Sequence, residues 1–151
     1  MGNTKTDSLQ RLLIIQKRCA RVILNAGTER SVGPFKRGWI PISDILEQKK
    51  LCIMHNIIHG KWPYYFNHYI RYVKNRHRYT TRASTNMDLS TPFFSAMTGK
   101  RSFLASGTRL WNNLDSATRG LTSLGRFQNQ LYKKYIDRNS RVDHFTISRN
   151  V

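Results

Sequence analysis

A small, mainly α-helical bundle in a single domain, with a long irregular middle segment, is the fold this sequence predicts, and three observations predict it. Apolar residues recur at spacings of three and four in three segments, at residues 9–23, 45–58 and 124–135. Residues that start or stop helices stand at the ends of those segments: Asp7 with Gln10, Ser43, Gly60 with Pro63, and Ser123. The 151 residues, 39% of them hydrophobic, suit one ordinary domain with a modest core.

Asp7, with Gln10 three residues later, forms a candidate capping box for the first helix. Leu9, Leu12, Leu13, Gln16, Cys19, Ala20 and Ile23 then share one side up to Gly27, while Arg11, Lys17, Arg18, Arg21 and Asn25 share the other. The segment TERSVGPFKRGWIP, with two prolines and two glycines, reads as an ordered loop anchored by Phe35, Trp39 and Ile40. Ser43 offers an N-cap to a second helix whose Ile45, Leu46, Leu51, Ile53, Met54, Ile57 and Ile58 cover much of its circumference, which predicts a central position. Asp44 and Glu47 fall in its first turn, where the helix dipole favours carboxylates.

Pro63 suits the first position of a third, shorter helix over residues 64–72. Periodicity is lost through TTRASTNMDLSTPFF and returns in SGTRLWNNL. Ser123 caps a last helix with Leu124, Phe127, Leu131 and Tyr135 on one side and Arg126, Lys133 and Lys134 elsewhere. The first two helices and the last are expected to form the core, with Trp39, Phe103, Trp111 and Phe127 as aromatic fillers. The helical domain is expected over residues 1–137, followed by a flexible basic tail over 138–151.

Charge narrows the function. Lys and Arg number 26 against 8 Asp and Glu, a formal net charge of +18, so the folded chain repels itself unless a polyanion is near. No acid stands between Glu47 and Asp88, or between Asp88 and Asp115. Cys19 and Cys52 are too few for a disulfide framework, and a reducing, intracellular setting, nuclear or cytoplasmic, is expected. No stretch reaches the roughly eighteen apolar residues of a membrane span, and MGNTKTDS lacks the apolar core of a secretory signal.

Catalysis finds little support. A two-metal polynucleotide-processing centre needs several convergent carboxylates, and here the eight acids are scattered. The patterns GxxxxGK[ST], GxSxG and HExxH are absent. Cys52, His55 and His59 lie three and four apart on one helix, a partial zinc ligand set without a recognisable fourth member, so neither metal nor other cofactor is expected. The start MGNTKT satisfies M-G-x-x-x-[ST], a myristoyl acceptor pattern that arises easily by chance.

The stretch YIRYVKNRHRYTTRAS, residues 69–84, holds Arg71, Lys74, Arg76, Arg78 and Arg82 among Tyr69, Tyr72 and Tyr79 without one carboxylate. Cations track a phosphate backbone through counterion release, aromatic rings stack on exposed bases, and arginine does both. The interleaving suits nucleic acid, above all single-stranded or bulged RNA. Taken singly, the tyrosines read more simply as core anchors. The net charge does not reduce to an ordinary surface, which mixes signs.

In order along residues 2–136, GNT, LQRLLIIQKRCARVI, PFKRGWIPI, HRYTTR, GKRSF, GTRLWNNL and SLGRFQNQLYKKYI resemble the segment after the polymerase core in non-LTR (LINE-type) retrotransposon reverse transcriptases. In that family GNT commonly follows a Trp inside a longer polyprotein, so the chain looks like a reading frame starting within the pattern, and the myristoylation match reads as an accident of that start. The resemblance implies a module downstream of palm and fingers that helps to hold template RNA or target DNA. It carries neither the aromatic-Ala-Asp-Asp turn of the polymerase nor an endonuclease domain. Where the family often has Leu-Pro after its Trp-Asn segment, this chain has Leu114 and Asp115, and Asp115 is suited to cap a following helical turn.

The expectation is therefore a non-catalytic nucleic-acid-binding module, with RNA favoured over DNA, that uses Arg71, Lys74, Arg76, Arg78 and Arg82, then Lys100, Arg101 and Arg109. Two alternatives stand beside it. One is a domesticated helical docking module whose charge meets a reverse transcriptase or another acidic protein, and the other is a truncated transposon reading frame without a selected role.

Overall fold

In a computed structural model, which describes residues 6–23, 25, 38–75 and 87–147, the chain is mainly helical and its described residues include no strand. The long helices are α1 (Thr6–Ile23), α2 (Ile42–Ile58), α4 (Phe103–Asn112) and α6 (Leu124–Ile147), with single-turn helices α3 (Met97–Lys100) and α5 (Ser116–Arg119) between them. Tyr64–Tyr69 and Val73–Asn75 are 3-10 turns. The α-helix expected over residues 64–72 is thus a 3-10 turn that ends at Ile70, whose backbone is extended. Its i to i+3 bonds, such as Phe66 N–H to the Pro63 carbonyl at 3.1 Å, follow directly on the proline.

The described residues form two compact units, one drawn from residues 49–128 and the other from residues 4–48 and 129–151. In the first unit, α2 buries Leu51, Cys52, Met54, His55 and Ile57, in keeping with its broad apolar surface. Trp111 of α4 and Phe127 of α6 lie with ring centroids 5.9 Å apart, and His55 packs on Phe127 at 4.6 Å. Gly60, at φ +66°, ends α2 in the left-handed conformation that only glycine adopts without strain, and Lys61 N–H closes the turn on the Asn56 carbonyl at 2.8 Å. Asp115 caps α5 as its sequence position suggested: Oδ2 accepts from the Thr118 amide at 2.9 Å and hydroxyl at 2.8 Å. Ser102 caps α4 by accepting from the Ala105 amide. Phe103 is half-buried.

In the second unit, Gln16 of α1 donates to the Ile40 carbonyl at 2.8 Å and accepts from the Ile42 amide at 3.0 Å, so a polar member of the apolar stripe fixes the entry to α2. Ile40 takes the buried place in this connection, and Trp39, expected as a core filler, is 36% exposed. α1 contributes less to the core than its periodicity suggested. Ala20 is buried and Leu9, Leu13 and Gln16 are partly covered, whereas Leu12, Ile15, Val22 and Ile23 are exposed. Asp7 sits within the first turn of α1 and pairs with Arg11 at 3.4 Å, a surface contact of little stabilising value.

Asp44 does more than complement a dipole. Its buried carboxylate accepts from Arg138, and from Asn139 at 2.8 Å. These partners belong to α6, which runs without interruption through the boundary expected between residues 137 and 138. Helix formation continues there because Arg138 and Asn139 gain tertiary partners.

Candidate functional site

Residues 87–94 form no helix, so their backbone polar groups need other partners. Asn112 of α4 supplies two: its Nδ2 donates to the Leu89 carbonyl at 2.8 Å and its Oδ1 accepts from the Leu89 amide at 2.9 Å. Asp88 accepts from Arg119 at 2.6 Å, and the Leu89 side chain is fully buried. This strap in turn holds residues 71–73. Tyr72 and Leu89 form an isolated antiparallel bridge in which Val73 N–H donates to the Asp88 carbonyl (2.9 Å) and Ser90 N–H to the Arg71 carbonyl (2.6 Å). Asn112→Ala leaves two buried backbone groups without partners and is expected to cost about 1–3 kcal/mol, read as a lower denaturation midpoint.

Beside this anchored backbone lies a groove of about 790 Å³, whose lining includes His68, Tyr69, Arg71, Ser90, Thr91 and Phe93 and, among the described residues, no Asp or Glu. Of these, Arg71 is exposed, Tyr69 is 61% exposed and Phe93 91% exposed. Lys74 is exposed as well and holds its ammonium 5.3 Å from the centre of the Tyr72 ring. The tyrosines therefore differ from simple core anchors: Tyr69 faces solvent and Tyr72 is only half-buried. Asp88, two residues before the lining residue Ser90, is neutralised by Arg119.

A second set of cations gathers at the C-terminal end of α3. Lys100 and Arg101 are exposed there, and Arg109 reaches them from α4. Its guanidinium donates to the Lys100 carbonyl at 2.7 Å and, through Nε, to the Ala105 carbonyl at 3.1 Å. Arg109 thus terminates α3, a role that its spacing did not suggest. Arg76, Arg78 and Arg82, with Tyr79, lie outside the described residues, as does the MGNTK start. Phe93 was not singled out from the sequence. The signal was available in Pro92-Phe93-Phe94, large apolar residues set in an aperiodic Ser/Thr segment.

Cys52, His55 and His59 have other partners. Burial pushes the Cys52 thiol up, against a hydrogen bond with Gln128 that lowers it. His55 Nε2–H donates to the Leu121 carbonyl at 2.7 Å, and the His59 ring lies 4.2 Å from its own. Among the described residues no three His, Cys, Asp or Glu side chains are grouped to hold a metal ion.

Burial, only partly offset by the bond to Leu121, pushes the His55 imidazole below its ordinary value of 6.5. The unfolded chain therefore takes up a proton there more readily than the folded one, so the stability from neutral His55 is complete above pH about 6.5 and lost progressively as pH falls from there towards the lower folded-state value. Denaturation midpoints at pH 8 and pH 5 are expected to show this loss (about 6.5 marking its onset), and His55→Gln, which keeps a donor for Leu121, is expected to reduce it.

No protein-family model, curated protein or solved structure matches the chain. Among the described residues no helix is long and apolar enough to cross a membrane.

Proposed function

We infer that the chain is a non-catalytic nucleic-acid-binding module, akin to the post-polymerase segment of a non-LTR retrotransposon reverse transcriptase, which holds template RNA or target DNA on a basic surface. One observation carries this reading: five acids of the described residues serve internal contacts, while four of the cations singled out from the sequence are exposed and pair with none of them. Asp7, Asp44, Glu47 and Asp88 are in ion pairs, and Asp115 caps α5. No carboxylate among the described side chains pairs with Arg71, Lys74, Lys100 or Arg101, all exposed. Such positive charge without internal counterions is satisfied by a polyphosphate.

Titration of the purified chain with single-stranded RNA, duplex RNA and duplex DNA across a salt series tests the reading. With about six phosphates contacted, affinity falls roughly a thousandfold between about 50 and 200 mM salt. Weak binding with a shallow salt dependence rejects it. The exposed Leu12, Ile15, Val22 and Ile23 of α1 favour a second reading, a helical docking module for a reverse transcriptase or other acidic protein. Nanomolar affinity for one such protein, alongside weak RNA binding, would establish that reading in its place.

A further inference from the structure

We propose that the groove between the Tyr64–Tyr69 turn and the residue 87–94 strap receives unpaired nucleobases of a single-stranded nucleic acid, with Tyr69 and Phe93 as the rings on which they stack and Arg71 as the phosphate contact. The proposal rests on the nucleic-acid reading and adds to it where a base would enter and which strand form would be chosen.

Three features of the groove point to this occupant. Its volume of about 790 Å³ lies within the range that takes small flat ligands and is too small for a folded partner. Its exposed tyrosine and phenylalanine rings are free: among the described residues neither Tyr69 nor Phe93 stacks on another aromatic side chain. Phe66 of the Tyr64–Tyr69 turn, by contrast, meets Trp62 at 5.2 Å and Tyr65 at 4.5 Å. An exposed ring face beside a cation is the arrangement that single-strand binders use, because every base has a π-face and every linkage a charge.

The polar lining adds a reason against a lipid. Asn75, Ser90, Thr91 and His68 present hydrogen-bonding groups, which base edges match and acyl chains would leave unsatisfied. A duplex is disfavoured too, because its bases are already stacked and paired, so it gains from Arg71 but not from the rings. The strap carrying Phe93 and the backbone carrying Arg71 are joined by the Tyr72–Leu89 bridge and pinned by Asn112, so the parts are held in place before any strand arrives.

The test compares the wild-type chain with Tyr69→Ala, Phe93→Ala and Phe93→Trp, using a single-stranded oligoribonucleotide, the same sequence as a duplex, and phosphatidylserine-containing vesicles. Both side chains are largely exposed, so the variants are expected to fold, and unchanged melting curves check this. Each alanine variant is expected to weaken single-strand binding about tenfold or more, leaving the duplex affinity and salt slope unchanged, while Phe93→Trp retains binding. Equal losses on single strand and duplex, no loss on either, or a loss confined to vesicles overturns the groove assignment while the nucleic-acid reading stands. Absence of binding to any nucleic acid by the wild-type chain overturns both.

Discussion

Replacing Arg71, Lys74, Lys100 and Arg101 together by glutamine is expected to remove about fiftyfold of the affinity loss that salt imposes on RNA binding. Each phosphate neutralised on a single strand contributes about 0.7 to the slope of log affinity against log salt, so four lost contacts lower the slope by about 2.8. Over a fourfold rise from about 50 to 200 mM, that slope difference amounts to about fiftyfold. The variant therefore binds much more weakly than wild type at low salt, and the two curves converge as salt rises. All four side chains are exposed, and none pairs with a carboxylate among the described side chains, so glutamine removes charge without breaking an ion pair among them. Arg109 is left out because its guanidinium holds the end of α3. A variant with the wild-type slope would show that these cations do not contact phosphate.

Phe127→Ala is expected to destabilise the fold by about 3–5 kcal/mol, the largest single-residue effect among these predictions. The ring is fully buried, and its neighbours cannot follow it inward when it is removed. His55 is tied to the Leu121 carbonyl, and Trp111 is 3% exposed on a helix whose start is capped by Ser102. The vacated volume therefore stays open, and the lost contacts add to the lost transfer energy. Against a total stability of about 5–15 kcal/mol for an ordinary domain, such a loss removes between about a fifth and all of it. Urea denaturation followed by tryptophan emission measures it, since Trp111 lies 5.9 Å from the ring. A loss below about 1 kcal/mol would show that the site collapses around the smaller side chain.

Much of this architecture was legible in the residue order. Helical periodicity located α2 and α6, and the broad apolar surface of α2 foretold the burial of Leu51, Met54 and Ile57, because burial on several sides demands apolar residues on several sides. Gly60 and Asp115 announced a helix end and a cap through local stereochemistry. The periodicity of α1 was equally clear and misled, since an apolar stripe shows that a face seeks cover and not which neighbour supplies it. The α6 boundary at residue 137 was placed early for the converse reason: the partners of Arg138 and Asn139 lie some ninety residues back in sequence, at Asp44.

The candidate site divides along the same line. Composition and spacing determined the excess of cations, the scarcity of acids between residues 47 and 115, and the interleaving of Tyr69, Arg71, Tyr72 and Lys74, since these follow from the order of residues alone. Only the tertiary structure decided that Tyr69 and Phe93 are exposed beside one groove, that Asp88 is neutralised by Arg119, and that Arg109 serves backbone carbonyls. Each of these depends on side chains or backbone from separate parts of the chain meeting in space, and an aperiodic segment carries no local signal of where it will be pinned.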